Sequence, residues 1–159
     1  MADGPVHPCS IVFDTDGLCF PNNQIGATTG RVIAGVGVAD SLSGDTVLKL
    51  LFEMPQSLPT GTAKLRIIGI AEGTGNAKIN PAWKGLATGE DFDPASLNVE
   101  TVQTLTIATA GVGTELKVTL DADVDGVNAD EYIYMEVTFE TSSWTLAVVS
   151  TFLFSIIWE

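Results

Sequence analysis

The chain has 159 residues, a length that suits one domain whose core needs neither metal nor disulfide staples. Hydrophobic residues make up 45% and charged residues 17%, with a mean hydropathy of +0.30; this excludes a disordered chain and leaves apolar surface available for burial between subunits. Seven basic residues against 20 acidic ones give a net charge of −13, so the basic footprint of a nucleic-acid binder is missing.

Residues 1–29 open the chain without sustained periodicity. Pro5, Pro8 and Pro21 punctuate them together with Gly4, Gly17 and Gly26, and one apolar triplet, Ile11-Val12-Phe13, is long enough for a short strand. This composition predicts an extended N-terminal arm held by a neighbouring subunit or by its own domain. The opening MADGPVHPCSIVFD has neither the basic start nor the long apolar stretch of a secretory signal, so synthesis in the cytoplasm is expected. Cys9 and Cys19 have only His7 nearby, which is no zinc spacing, and a reducing cytosol favours free thiols.

Strand signals begin at residue 30. Residues 31–39 (RVIAGVGVA), 46–54 (TVLKLLFEM) and 62–72 (TAKLRIIGIAE) are β-rich and separated by Gly-, Pro- and Asp-bearing turns. A GTGN hairpin signal leads into residues 77–86 (AKINPAWKGL), where Pro81 points to an edge or a bulge. Residues 87–99 form the longest loop and carry Glu90, Asp91 and Asp93. Residues 101–108 and 115–120 are the fifth and sixth strands.

The seventh strand, 131–140, alternates: Ile133, Met135, Val137 and Phe139 on one side, Tyr132, Tyr134, Glu136, Thr138 and Glu140 on the other. The eighth, residues 144–158, is apolar on both sides and calls for cover on both faces. It is the longest apolar run, but Ser150, Thr151 and Ser155 interrupt it, and no run reaches the roughly 18 residues of a membrane helix. The chain therefore reads as all-β: a jelly-roll-like antiparallel β-sandwich of about eight strands over residues 30–159, preceded by the arm of residues 1–29.

Chemistry is sparse. The only histidine, His7, lies in the arm, where no scaffold would hold it against a nucleophile. Glu90, Asp91 and Asp93 lie near Trp83 in sequence, but nothing fixes a carboxylate spacing across a cleft, and solvated loop acids explain them. No enzyme is expected. Asp121, Asp123, Asp125 and Gly126, followed by Asp130, begin as a calcium loop does, with carboxylates at alternate positions. The position expected for a bidentate Glu is Tyr132, with Glu131 one place early, so a plain acidic turn stands as the alternative. No other cofactor is expected. Trp83, Trp144, Trp158, Tyr132 and Tyr134 could build a sugar-binding platform or serve as core and interface anchors.

The order of signals from residue 62 onward resembles a family of bacteriophage capsid decoration (cement) proteins. The carriers are the strand 62–72, the hairpin strand 76–85, the loop Gly89-Glu90-Asp91-Phe92-Asp93-Pro94, the strands 102–109 and 116–121, and the closing pair 132–139 and 144–158. The first 60 residues depart from the pattern. The resemblance implies a jelly-roll fold and a non-enzymatic virion protein, often trimeric, on the outer shell where capsomers meet, with the major capsid protein as partner. On that reading Val6, Ile11, Val12 and Phe13 of the arm, with Trp144, Phe152, Phe154 and Trp158 of the last strand, are contact surface. A carbohydrate- or receptor-binding sandwich of a phage tail or fibre is the alternative.

Overall fold

The computed structural model describes residues 4–13, 19–22, 35–38, 45–91, 96–121, 126–146 and 150–159. Among these are eleven strands: β1 (Ser10–Val12), β2 (Cys19–Asn22), β3 (Gly35–Val38), β4 (Thr46–Glu53), β5 (Ala63–Ala71), β6 (Gly75–Leu86), β7 (Asn98–Val99), β8 (Gln103–Ile107), β9 (Thr114–Thr119), β10 (Tyr132–Phe139) and β11 (Ser150–Trp158). One 3-10 turn, Thr141–Ser143, lies between the last two.

The strands form two antiparallel sheets. One runs β1-β4-β10-β6-β7, with β8 also paired to β6; the other runs β2-β3-β11-β5-β9. Set β1, β2 and β7 aside, and the eight strands expected from the sequence remain. The pair β3–β4 then lies against β11–β10, and β5–β6 against β9–β8, each pair divided between the sheets. This is a long hairpin wound on itself, the jelly-roll arrangement.

The period-two pattern of each strand decides what enters the core. In β4, Thr46, Leu48, Leu50 and Phe52 are buried while Val47, Lys49 and Glu53 are exposed. In β6 the inward set is Ala77, Ile79, Pro81, Trp83 and Gly85; in β10 it is Ile133, Met135, Val137 and Phe139. Phe139 centres an aromatic cluster, with ring centroids 5.9 Å from Trp144, 5.2 Å from Phe152 and 6.3 Å from Phe154. Edge-to-face and tilted contacts of this kind add to the area the rings bury.

That cluster corrects one expectation. Trp144, Phe152 and Phe154 are buried in the chain's own core and are not contact surface. Trp144 gets there because the 3-10 turn folds the chain back over the end of the sandwich, where its indole N–H donates to the Lys78 carbonyl at 3.0 Å. Trp158 is half-buried and packs against the same core.

Of the two holds expected for the arm, the structure shows the chain's own domain. Val6 and Ile156 exchange two backbone hydrogen bonds, of 2.9 and 2.8 Å. On that side of β11, among the described residues, β3 pairs with Ser150–Phe152 and Val6 pairs further along at Ile156. Three residues on, the Cys9 N–H donates to the Leu51 carbonyl at 2.8 Å, and β1 pairs with β4 in the other sheet. The segment is a strap pinned to both sheets. β2 then pairs with β3, and Cys19 enters the core. The described residues of the arm thus contribute two strands to the sandwich. Ile11 and Val12 remain exposed, and Phe13 is half-buried against the core.

The second face of β11 is covered by charge. Ser155 stands opposite Arg66 and Ile157 opposite Lys64; one strand further lie Lys117 and Thr119. Arg66 pairs with Glu115, Lys64 with Glu159 at 3.3 Å, and Lys117 with both Glu159 and Glu115. The aliphatic stems of these basic residues roof the strand while their heads stay wet, and Ser155 beneath them is only 5% exposed. Further along, Leu153 lies opposite Ile68, and both are half-buried.

The roof has a pH signature. Hydrogen bonds from Lys117 first and Lys64 second hold the Glu159 carboxyl below its ordinary value, and the Glu159 bond holds Lys117 above its own. A depressed carboxyl contributes stability above its unfolded pKa that is lost as pH falls through the folded value. A raised ammonium contributes stability that is lost as pH rises through its folded value. Glu159→Gln should therefore flatten a small loss of stability at both the acid and alkaline ends of a Tm–pH series and change little at pH 7. The effect at pH 7 is small because these groups are solvent-exposed. An unchanged profile would show the roof to be electrostatically idle.

Candidate functional site

Residues directly opposite in an antiparallel pair share a face. The register therefore gives the outer face of the six-stranded sheet as rows. Tyr132 stands between Glu53 and Leu86; Tyr134 between Leu51 and Lys84; Glu136 between Lys49 and Ala82; Thr138 between Val47 and Asn80. The Glu136 row extends to Val12 on β1 and Val99 on β7. Further along β6, Lys78 faces Thr104, and the Thr106 hydroxyl donates to Asn76 Oδ1 at 2.8 Å.

Three of these side chains act together. The Tyr134 hydroxyl donates to Glu136 Oε1 at 2.6 Å. Lys49 Nζ lies 3.6 Å from the same oxygen and 6.0 Å from the Tyr134 ring centroid. Burial first, and then the bond to Glu136, holds the Tyr134 phenol above its ordinary value, so it is a firm donor at neutral pH. The Lys49 and Glu136 side chains are 46% and 31% exposed, whereas Tyr134 itself is 7% exposed. Beside them, Asn80 Oδ1 is buried with no hydrogen-bond partner among the described residues. On a rigid sheet the cluster can accept from and donate to adjacent hydroxyls; it has no arrangement for activating a nucleophile.

The sequence-derived candidates are dispersed. Trp83 is wholly buried, and its indole N–H donates to Glu100 Oε1 at 2.7 Å; the Asp121 N–H reaches the same oxygen at 2.9 Å. With Trp144 also in the core, the five aromatics form no common platform; only Tyr132 and Tyr134 share the outer face. Of the calcium candidates, Asp123 and Asp125 lie outside the described residues. Asp121 and Asp130 are exposed, and Asp130 has a left-handed backbone (φ 61°) with its N–H on the Pro55 carbonyl at 3.0 Å. Among the described residues no group of three or more His, Cys, Asp or Glu is placed to hold a metal ion. The end of this turn presses on β6: a Cβ added to Gly85 would stand 2.3 Å from the Gly126 carbonyl oxygen.

Glu90 accepts the Ala87 N–H at 2.8 Å and closes its own loop; Asp93 lies outside the described residues. His7 is exposed on the strap. Cys9 is exposed, with its thiol on the Leu51 carbonyl at 3.3 Å, and Cys19 is buried; neither is in a disulfide. The sequence reading missed Lys49 and Glu136 as a pair. Their parity within each strand was legible, but nothing local showed that β4 and β10 would be neighbours in this register.

No family model and no curated protein matches the chain. Among solved structures it is similar to an arabinose-bound α-L-arabinofuranosidase, with TM-score 0.47 and 8% identity over 96% of this chain and 26% of that one. It is similar to carbohydrate-binding modules of the β-sandwich superfamily described as promiscuous in specificity, with TM-score 0.43 and 15% identity over 94% of this chain and 53% of that one. A third likeness is to a module in complex with β-1,4-galactotriose, with TM-score 0.40 and 12% identity over 94% and 88%. The chain spans about a quarter and about half of the first two. At these scores the likenesses carry no inference about this chain; the sandwich rests on its own strands and register.

Proposed function

We propose that this chain is a non-catalytic β-sandwich module that binds carbohydrate through the outer face of its six-stranded sheet. One observation carries the reading: the Tyr134–Glu136–Lys49 cluster, a charged donor and acceptor set side by side on a rigid surface with the small Ala82 next to them. Sites that recognise hydroxyl-rich ligands need such fixed polar groups, because the ligand offers little apolar area. Affinity electrophoresis of the purified chain through gels containing a panel of plant, bacterial and animal polysaccharides tests it. Retardation by at least one is expected, and free migration through all of them overturns the reading.

The virion reading keeps one supporting observation. Val12 and Val47 are 58% and 40% exposed on the outer face of the β1–β4 edge, and Ile11 is 37% exposed on its other face; apolar groups at such an edge suit a protein partner. It proposes a decoration protein on the capsid surface, bound to the major capsid protein as a homotrimer. Co-sedimentation with expanded shells and a trimeric mass in solution are its expected results.

A further inference from the structure

We infer that the ligand is a neutral sugar chain held by two adjacent hydroxyls at Glu136 and Lys49; this rests on the carbohydrate reading above. Glu136 Oε1 is occupied by the Tyr134 hydroxyl and faces Lys49. Glu136 Oε2 has no hydrogen bond among the described residues, and the Glu136 side chain is 31% exposed. One carboxylate oxygen is thus fixed in place by the protein while the other is open to accept. Lys49 beside it offers ammonium protons. Adjacent hydroxyls on a sugar ring match this set: one donates to Oε2 and the other accepts from Lys49. Charge-assisted bonds of this type are the stronger class.

Charge selects the sugar. On this face the Lys49 ammonium is paired with Glu136, Lys84 on the next row already has a partner, and Lys78 stands two rows away beyond Asn80; on the other sheet Lys64, Arg66 and Lys117 are tied to Glu115 and Glu159. The chain as a whole carries −13. A uronate or sulfate brought to Glu136 would meet that carboxylate and the field of an acidic protein. The row itself sets the shape. Val12, Lys49, Glu136, Ala82 and Val99 follow one another across five strands, about 19 Å at the usual strand spacing. That length suits an oligosaccharide laid across the strands rather than a single ring, with the apolar ends of the row facing its C–H surfaces.

The test uses neutral polysaccharides beside uronate-bearing and sulfated ones, with wild type, Glu136→Gln and the distant control Val112→Ser. Neutral chains should retard the wild type and the control, while Glu136→Gln binds them about 10- to 100-fold more weakly. Thermal unfolding confirms that the variant is folded. If it is not, wild type titrated with an oligosaccharide and its monodeoxy analogue supplies the same contrast, the analogue binding more weakly by a similar factor. Preference for acidic chains, or neutral binding that Glu136→Gln or the deoxy ligand leaves unchanged, overturns the inference while the module reading stands. Failure to bind any polysaccharide overturns both.

Discussion

Trp83→Ala is expected to lower the unfolding free energy by about 3–5 kcal/mol, the range for deleting a fully buried large aromatic side chain. Trp83 is wholly buried at the inward parity of β6. Its loss also strips one of two donors from Glu100, a carboxylate only 9% exposed, leaving it the Asp121 N–H alone. A buried charge short of partners adds its own cost, so the upper part of that range is expected. Trp83→Phe separates the two effects, because it keeps most of the packing and removes only the N–H; about 1–3 kcal/mol is expected. Urea unfolding of both variants at pH 7 is the measurement. The contrast with a binding role is sharp: an indole presented to sugar at the surface would cost less than about 0.5 kcal/mol on removal. A loss that small would return Trp83 to the ligand face.

Much of this was legible along the chain. In residues 77–86, Ala, Ile, Pro, Trp and Gly alternate with Lys, Asn, Ala and Lys, and that parity already sends Trp83 inward with Ile79. The eight strands expected between residues 31 and 158 followed from alternation and turn chemistry, while their winding is set by the pairing between them. Trp144 could not be placed in this way. Its burial depends on a three-residue turn that swings it over Phe139 and Phe152, and no period records that. β1, β2 and β7 are two to four residues long, too short for a period and, in the first two, embedded among prolines. The ligand-facing pair Lys49 and Glu136 arises only from register between strands more than 80 residues apart, which local sequence does not encode.

The doubly apolar last strand shows how the same composition supports two readings. Surplus hydrophobicity in residues 144–158 called for cover on both faces, from the domain itself or from a neighbouring chain. The fold meets it locally: Phe152, Phe154 and Ile156 face the core, the ion roof covers Ser155, and the strap closes the edge at Ile156. None of these covers is visible from the strand itself, because Arg66, Glu115 and Val6 are distant in sequence.

Deleting residues 1–13 is therefore expected to destabilise the isolated chain by roughly 2–4 kcal/mol, on a net worth of about 0.5–1.5 kcal/mol per backbone hydrogen bond together with the half-buried Val6 and Phe13. The deletion removes the two Val6–Ile156 bonds, the Cys9–Leu51 bond and the β1–β4 ladder. It also uncovers backbone on two sheets at once, at Ile156 of β11 and at Lys49–Leu51 of β4, so concentration-dependent aggregation should accompany the loss. Point variants assign the effect. Val6→Pro removes the N–H that Ile156 accepts and should cost stability in the monomer. Val12→Asp, at a position 58% exposed, should leave stability within about 0.5 kcal/mol and alter only an association that uses the β1 edge. Urea unfolding with size-exclusion chromatography reads both. If the shortened chain keeps its full stability and loses only self-association or shell attachment, the strap belongs to a partner rather than to this fold. If stability falls with the oligomeric state unchanged, the first 13 residues are part of the sandwich, and a partner can use only the exposed side of β1 that the strap leaves free.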